Sequence, residues 1–465
     1  MSLRFASQIA IAASFTFLFV VWIAYPWVFG DTPFVLDGTN AFVNCLSQHQ
    51  FHACGFTGKL NYWGLMSPIG DWPLHQHVPD LISVELGAQS HPTRTRVLEL
   101  LNVAGVGASL LLARIVLVRV GQAFWFPAFA LVVLSSPILW WARTTAGEVF
   151  ASGLLVCLVA AAVLPAPAVL VAVAAFGASL TKETSYPFVA ALCFLGLVLA
   201  RRRTGKPIRT HVICGAVGVA LAFAATSFFN IVRYGSVLNT NTLNPQLHTL
   251  GVWRKLEYAA GVIVAPNGGI LVFWPAATVL LLACLAPLAS RRRSDVWPSV
   301  VLLVSLAGLA IGFASWWTPF GWFAYGPRLI LPWLPPLVLI GLVAYGEALR
   351  PKLRRLLRPW WALIAVFAVV LAFTLPSIGE MWRPHEIDAF FAQAPKPCTF
   401  PWLEGAAQWH TCQQRLMWSE RPMGLYTARG VLTPSGFATT LVIALGLVGC
   451  LYLLRGDVPR EVVRE

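Results

Sequence analysis

Long apolar blocks, separated by short charged or proline-containing stretches, are the feature that most limits what this chain can fold into. Crossing the hydrocarbon core of a bilayer as a helix takes about 20 apolar residues, and a soluble chain would instead alternate apolar and polar positions. Residues are 58% hydrophobic and 11% charged over a length of 465. The chain is therefore predicted to be an all-α polytopic membrane protein. Its twelve predicted spans are 7–29, 98–119, 122–141, 148–164, 167–181, 186–200, 211–230, 268–290, 297–315, 328–349, 360–376 and 436–455.

The positive charges fall on one side of this span order. Lys and Arg are enriched in cytoplasmic loops, and the basic runs 201–209, 291–293 and 350–358 share one side. With both termini cytoplasmic, the inner segments hold 19 Lys and Arg against 5 Asp and Glu, and the outer segments 14 against 14. The formal charge of +14 thus indicates orientation in a membrane and contact with anionic membrane lipid. Nucleic-acid binding, the other use of a basic surface, is not predicted.

Three outward segments are much longer than the other connections, and long loops in a compact protein are usually functional or disordered. Their Trp, Phe, His and Pro content favours folded segments, including helices that lie along the membrane surface. The predicted division is a transmembrane core, an outer-face region, and a last helix with its cytoplasmic tail. The core spans 1–376 with outer loops 30–97 and 231–267, the outer-face region spans 377–435, and the last part spans 436–465.

The nine cysteines sort by the same topology. Five fall within predicted spans, where thiols behave as small apolar groups. The other four form two local pairs in the outward segments, Cys45 with Cys54 and Cys398 with Cys412. Because an outward face is oxidising, we predict two disulfides, and metal binding by these cysteines is the weaker alternative.

Four cations stand near the outward ends of predicted spans, and ionisable groups at membrane depth are functional candidates. They are Arg143, Lys182, Arg233 and Arg328. Together they could hold one phosphate or pyrophosphate group of a lipid carrier, because Arg offers a bidentate fork and Lys a point charge. The simpler alternative is that each one reaches the headgroups or pairs with a nearby acid, as Lys182 could with Glu183.

The first outward segment carries acids and imidazoles. Asp37 could act as a general base toward a hydroxyl, or the Asp37-Gly38 dipeptide could simply form a turn. His75 and His77 could contact a substrate, while a metal site would need a third ligand, and no metal site is predicted. Trp72 and Trp322 could stack on sugar rings or belong to an interfacial aromatic belt.

Five pieces of the sequence, in order, resemble the GT-C superfamily of membrane glycosyltransferases, in particular relatives of the protein mannosyltransferases. They are Asp37 after the first span, the segment from Arg143 to Glu148, Thr181-Lys182, "NIVRYGSVLNT" (230–240) and "WFAYGPRLILPWLP" (322–335). The last two resemble patterns of bacterial, particularly actinobacterial, members. The resemblance covers most of the span order through short motifs.

The resemblance implies a GT-C-like bundle of about twelve transmembrane helices whose first outer loop carries the catalytic acid. Asp37 would be the base, and Arg328 would meet the donor phosphate. Many relatives have a second acid where Gly38 stands here, so Asp71 and Glu148 remain alternative bases.

The implied reaction moves a sugar, with mannose or arabinose as candidates, from a polyprenyl-phosphate donor to an envelope glycan, lipid or protein on the outer face. No cofactor is required, although some members of the superfamily use a divalent cation. Two other functions stay open from the sequence. One is a transporter or flippase for a lipid-linked glycan, and the other is a non-catalytic membrane partner with the same fold.

Overall fold

The structure is a computed structural model. It describes residues 2–27, 91–144, 147–164, 166–181, 185–234, 236–238, 249, 251–289, 296–316, 326–383, 414–418 and 423–456. These residues form helices, and the one isolated β-bridge among them joins Trp27 to Thr144.

The helices follow the predicted spans closely. In chain order they are α1 Leu3–Ala24, α2 His91–Arg119, α3 Phe126–Leu134, α4 Ile138–Trp141, α5 Glu148–Val163, α6 Ala168–Ser179, α7 Tyr186–Thr204, α8 Arg209–Tyr234, α9 Val252–Val264, α10 Ile270–Phe273, α11 Pro275–Leu285, α12 Trp297–Ala314, α13 Leu334–Leu357, α14 Trp360–Trp382, α15 Met423–Thr427 and α16 Pro434–Arg455. Four 3₁₀ helices, at 123–125, 286–289, 331–333 and 428–432, extend or connect them.

The prediction of an all-α polytopic membrane protein is confirmed. Seven helices in the described part of the chain are long and apolar enough to cross a membrane, namely α1, α2, α8, α12, α13, α14 and α16. Each of the other five predicted spans coincides with helical segments that are shorter or carry more charge. The count of twelve spans, and which membrane face each end meets, stay predictions.

Local sequence explains where these helices begin and break. Ser2 and Thr433 cap α1 and α16 by accepting a hydrogen bond from a backbone N–H of the first turn. Pro137 interrupts the predicted span 122–141 and separates α3 from α4, because proline has no N–H to give. Gly205 ends α7 in the left-handed conformation, which glycine adopts without steric cost.

The centre of the bundle is α13. In its most apolar stretch 83% of the residues are buried, against 22–44% in the other six long helices. It packs against α5, α11 and α16, while α1 packs on α16 and α2 packs on α5. The contact of α2 with α5 is so close that a Cβ on Gly153 would lie 2.8 Å from Cα of Gly105. This close pair fixes the position of Glu148, at the start of α5, relative to the start of α2.

Parts of the predicted outer segments also pack onto the bundle. The helix α9 lies within 231–267 and packs on α12, and α15 lies within 377–435 and packs on α14. The Asn267 side chain joins these two regions, donating to the Leu416 carbonyl over 2.7 Å and accepting from the Met423 N–H over 2.5 Å. The division of the chain into three regions stays a prediction.

The five cysteines predicted within spans, Cys157, Cys193, Cys214, Cys284 and Cys450, lie in helices as free thiols and are buried or half-buried. Cys193, Cys284 and Cys450 are buried in the apolar core between helices, as small side chains of low polarity can be. The two predicted disulfides fall outside the described residues.

Candidate functional site

One end of the bundle gathers charged side chains from three helices and from the segments that follow α4 and precede α13. The C-terminal ends of α1, α4 and α14 meet there with the N-terminal parts of α2 and α5 and the segment that leads into α13. Asn102 of α2 holds the connection between α4 and α5, donating to the Thr144 carbonyl over 2.7 Å and accepting from the Phe150 N–H over 3.0 Å. The second bond supplies the side-chain cap that Gly147, at the start of α5, lacks.

Arg328 is positioned by its local backbone. Gly326 has φ of +65°, a left-handed conformation that disfavours residues with a Cβ. A Cβ at Gly326 would also lie 2.8 Å from Cδ1 of Phe273. The turn closes with a 3.0 Å bond from the Arg328 N–H to the Gly326 carbonyl, and the 3₁₀ helix Leu331–Trp333 then continues into α13. The Gly326-Pro327 pair therefore sets the direction in which the Arg328 side chain leaves the backbone.

The guanidinium of Arg328 is bound to Glu148. Its Nε–H donates to Oε1 of Glu148 over 2.5 Å, and its Cζ lies 5.5 Å from the centre of the Trp141 ring. Glu148 is 1% exposed and the Arg328 side chain 15%. The carboxylate and the aromatic ring thus hold the cation from the protein side while part of its side chain remains accessible.

The dipole of α5 adds to this arrangement. Glu148 occupies the first turn of α5, where the positive end of the dipole stabilises a carboxylate. The Arg328 guanidinium, bound to Glu148, therefore lies beside the N-terminal end of α5.

Arg143 forms a second, more deeply buried cluster. It is 4% exposed, donates from Nη1 to the Met381 carbonyl, and lies over the rings of Trp27 and Trp140 at 5.7 and 5.2 Å. Because a cation near a helix C-terminus meets the negative end of the dipole, the bond to Met381 stabilises the last turn of α14.

Two carboxylates surround Arg143. Burial lowers the pKa of Arg143 to about 10, and Glu380 and Glu99 raise it, so the guanidinium is charged at neutral pH. Glu99 is 2% exposed and Glu380 is 0% exposed. Arg143 thus ties α2, α4 and α14 together from inside the protein. This placement favours a structural role, and the prediction that Arg143 binds a donor phosphate stays a prediction.

Sequence reasoning missed three members of this end of the bundle, namely Glu99, Glu380 and Trp141. Glu99 lies inside the predicted span 98–119, where the rule that singles out ionisable groups at membrane depth applies to acids as it does to cations. Glu380 lies beyond the predicted end of its span at 376, whereas α14 extends to Trp382, so a longer predicted span would have included it.

The remaining predicted site residues can be placed only in part. Arg233 lies in the last turn of α8, and its side chain falls outside the described part of the chain. The other predicted residues outside the described ranges are Asp37, Asp71, Trp72, His75, His77, Lys182, Trp322, Cys45, Cys54, Cys398 and Cys412. Within the described ranges, no three His, Cys, Asp or Glu side chains are grouped so that they could hold a metal ion.

The chain has structural relatives among solved proteins. No protein-family model matches the chain, and no curated protein matches it. Among solved structures, the chain is similar to ArnT from Cupriavidus metallidurans in the apo state, with a TM-score of 0.48 and 18% identity over 96% of this chain and 78% of that chain. It is also similar to the same ArnT bound to undecaprenyl phosphate, with a TM-score of 0.43 and 16% identity over 96% of this chain and 77% of that one.

Proposed function

We propose that this protein is a GT-C-type glycosyltransferase that moves one sugar from a polyprenyl-phosphate donor to a cell-envelope glycan, lipid or protein on the outer face of a bacterial plasma membrane. Mannose and arabinose are the candidate sugars. The observation that carries the proposal is Arg328, a partly accessible cation held by Glu148 and Trp141.

The chemistry of Arg328 suits a phosphate ligand. A guanidinium has five N–H donors in a fixed fork, so a carboxylate can orient it while it also binds another anion. Phosphate and guanidinium match in a bidentate manner. This chemistry supports binding of the phosphate that becomes the leaving group.

The charge balance requires further cations. The pair formed by Arg328 and Glu148 is neutral in sum, so the net attraction for a phosphate must come from other groups. Lys182 follows α6 and Arg233 ends α8, and both remain our candidates for this role. Arg143, enclosed by Glu99 and Glu380, is the weakest candidate of the four.

The burial of Glu148 and its bond to Arg328 bear on which acid acts as the base. Glu148 is almost fully buried and already holds Arg328, so its carboxylate is better suited to orienting the cation than to accepting a proton from an acceptor. Asp37 remains the proposed base, with Asp71 as the alternative. His75, His77, Trp72 and Trp322 remain candidate contacts for the sugar or the acceptor.

The reaction balances without a cofactor. The acceptor hydroxyl oxygen forms a bond to the anomeric carbon, its proton passes to the Asp37 carboxylate, and the bond between the anomeric carbon and the phosphate oxygen breaks. The phosphate leaves with the electron pair, and Arg328 stabilises the charge that develops on it. Removal of the Asp37 carboxylate should therefore impair proton transfer from the acceptor, and removal of the Arg328 guanidinium should impair binding and departure of the phosphate.

The test is a transfer assay on the full-length protein in lipid nanodiscs, with polyprenyl-phosphate mannose and polyprenyl-phosphate arabinose as donors. Asp37→Asn should abolish transfer and leave binding of polyprenyl phosphate unchanged, whereas Arg328→Ala should weaken that binding. Asp71→Asn is the parallel variant, since it tests the alternative base in the same segment of the sequence. Full transfer by both Asp variants would exclude these bases, and unchanged carrier binding by Arg328→Ala would remove the main support for the proposed function.

A further inference from the structure

A dense group of cations occupies the end of the bundle opposite Arg328. The 24 residues of α13 span about 36 Å, which separates Arg328 from Arg350 and Arg354 near the other end. Among the residues that the structure describes, fourteen Lys and Arg lie at this end against one carboxylate, that of Glu347. One is at the start of α1, two at the end of α2, five within 201–209, five within 350–358 and one at the end of α16.

Phe124 organises part of this group. Its ring has Arg350 Cζ at 4.8 Å and Arg354 Cζ at 4.9 Å from its centre. The neighbouring Trp125 donates from Nε1 to the Gly346 carbonyl over 2.9 Å, which attaches this turn to α13. The two guanidinium groups of α13 are thus held against one aromatic ring instead of extending separately into solvent.

A third cation and a helix end complete the group. Arg4, at the start of α1, and Arg350 both lie close enough to Arg354 to repel it. The Arg354 guanidinium packs against Gly456, where a Cβ would lie 3.0 Å from Nη2. The C-terminal end of α16 helps to hold one cation there.

We infer that Arg350 and Arg354, held over the Phe124 ring, together with Arg4, form a binding site for the phosphate of an anionic phospholipid headgroup. An anion with several acceptor oxygens compensates converging guanidinium groups, and Arg is the residue best suited to phosphate. The site is independent of the proposed transfer reaction, since it lies at the other end of α13.

The surroundings favour a lipid over a soluble phosphate. Large apolar side chains beside these cations are exposed, namely Leu3, Phe5 and Leu356, and so are Trp360 and Trp361 at the start of α14. Arg455 lies over the Trp360 ring at 3.8 Å. A ligand with a phosphate and acyl chains would contact both the cations and this apolar surface, and a polybasic surface next to a membrane attracts anionic lipid.

The test measures lipid retention by the full-length protein with native mass spectrometry after addition of phosphatidylglycerol or phosphatidylcholine. The double variant Arg350→Ala, Arg354→Ala should weaken phosphatidylglycerol binding about 30-fold and leave phosphatidylcholine binding unchanged. The matched control is Arg201→Ala, Arg202→Ala, which removes two cations from the same end of the bundle, including the Arg202 that lies over Trp297 at 4.8 Å.

Comparison of phosphatidylglycerol binding by the two double variants decides whether the site exists. Loss in the first double variant alone supports the site, whereas equal losses in both variants would mean a diffuse surface charge and would overturn it, as would no loss in either. Inorganic phosphate is the second probe, and its displacement of the lipid at millimolar concentration would identify a soluble phosphate as the ligand instead. If the alanine variant does not fold, Phe124→Leu keeps all charges and should still weaken retention, because it removes the ring that gathers the two arginines.

Discussion

The Nε–H of Arg328 donates to Oε1 of Glu148 over 2.5 Å, across 180 residues of sequence. This bond joins the turn before α13 to the first turn of α5, the two elements that pack together at the candidate site. It means that the orientation of the cation is set by the bundle and not by its own loop alone. The consequences for stability and for activity can be separated by mutation.

Breaking the pair from one side should destabilise the fold. Glu148→Gln leaves a largely buried guanidinium without its carboxylate, and loss of one partner of a buried pair costs about 3–5 kcal/mol. The double variant Glu148→Leu, Arg328→Met should regain much of the thermal stability, because it buries no charge. It should not regain sugar transfer or carrier binding. A double variant that is stable and fully active would show that the pair serves the fold alone.

Substitution at Gly326 should disturb the site through the backbone. Gly326→Ala places a Cβ at a residue with φ of +65° and against the Phe273 ring, and the left-handed conformation alone costs about 1–2 kcal/mol. The unfolding temperature and the affinity for polyprenyl phosphate should both decrease, since Arg328 follows two residues later.

Gly312→Ala provides the control for this change. Gly312 lies inside α12, and a Cβ added there would meet no neighbouring side chain within 4 Å among the described residues. Alanine should therefore stabilise the helix by about 0.5–1 kcal/mol. Equal effects of the two alanine variants on carrier binding would contradict the positioning role of Gly326.

The buried cluster around Arg143 should act on stability more than on ligand binding. Arg143→Met removes a buried cation that interacts electrostatically with Glu99 and Glu380, and loss of one partner from a buried group of charges should lower the free energy of unfolding by about 3–5 kcal/mol. Carrier affinity of the folded fraction should stay unchanged. A folded Arg143→Met protein with weakened carrier binding would instead show that Arg143 contributes to the phosphate site.

Mass mapping without reductant tests the cysteine prediction. Peptides that link Cys398 to Cys412 and Cys45 to Cys54 are expected, because the outward segments are exposed to an oxidising environment. The five helical thiols serve as an internal control and should be recovered unlinked, since they are free in the structure. Recovery of free thiols at Cys398 and Cys412 would contradict the predicted pair.

The architecture was largely predictable because membrane insertion depends on local composition. Apolar block length is a property of about 20 consecutive residues, and the segregation of cations requires only their order along the chain. The predicted spans consequently coincide with helical segments, and the errors occur at the ends. One such error is at the end of α14. Hydropathy alone places the boundary at Pro376, whereas the helix continues through this proline to Trp382.

The sequence by itself determined the helical membrane class, the placement of five cysteines within helices and the candidacy of Arg328. Only the tertiary structure decided that Arg328 pairs with Glu148, that Arg143 is enclosed near Glu99 and Glu380, and that Arg350 and Arg354 share the Phe124 ring. The physical reason is that helix formation is fixed by neighbours in sequence. The partner of a buried charge is fixed by which helices pack together, and no short motif contains that information.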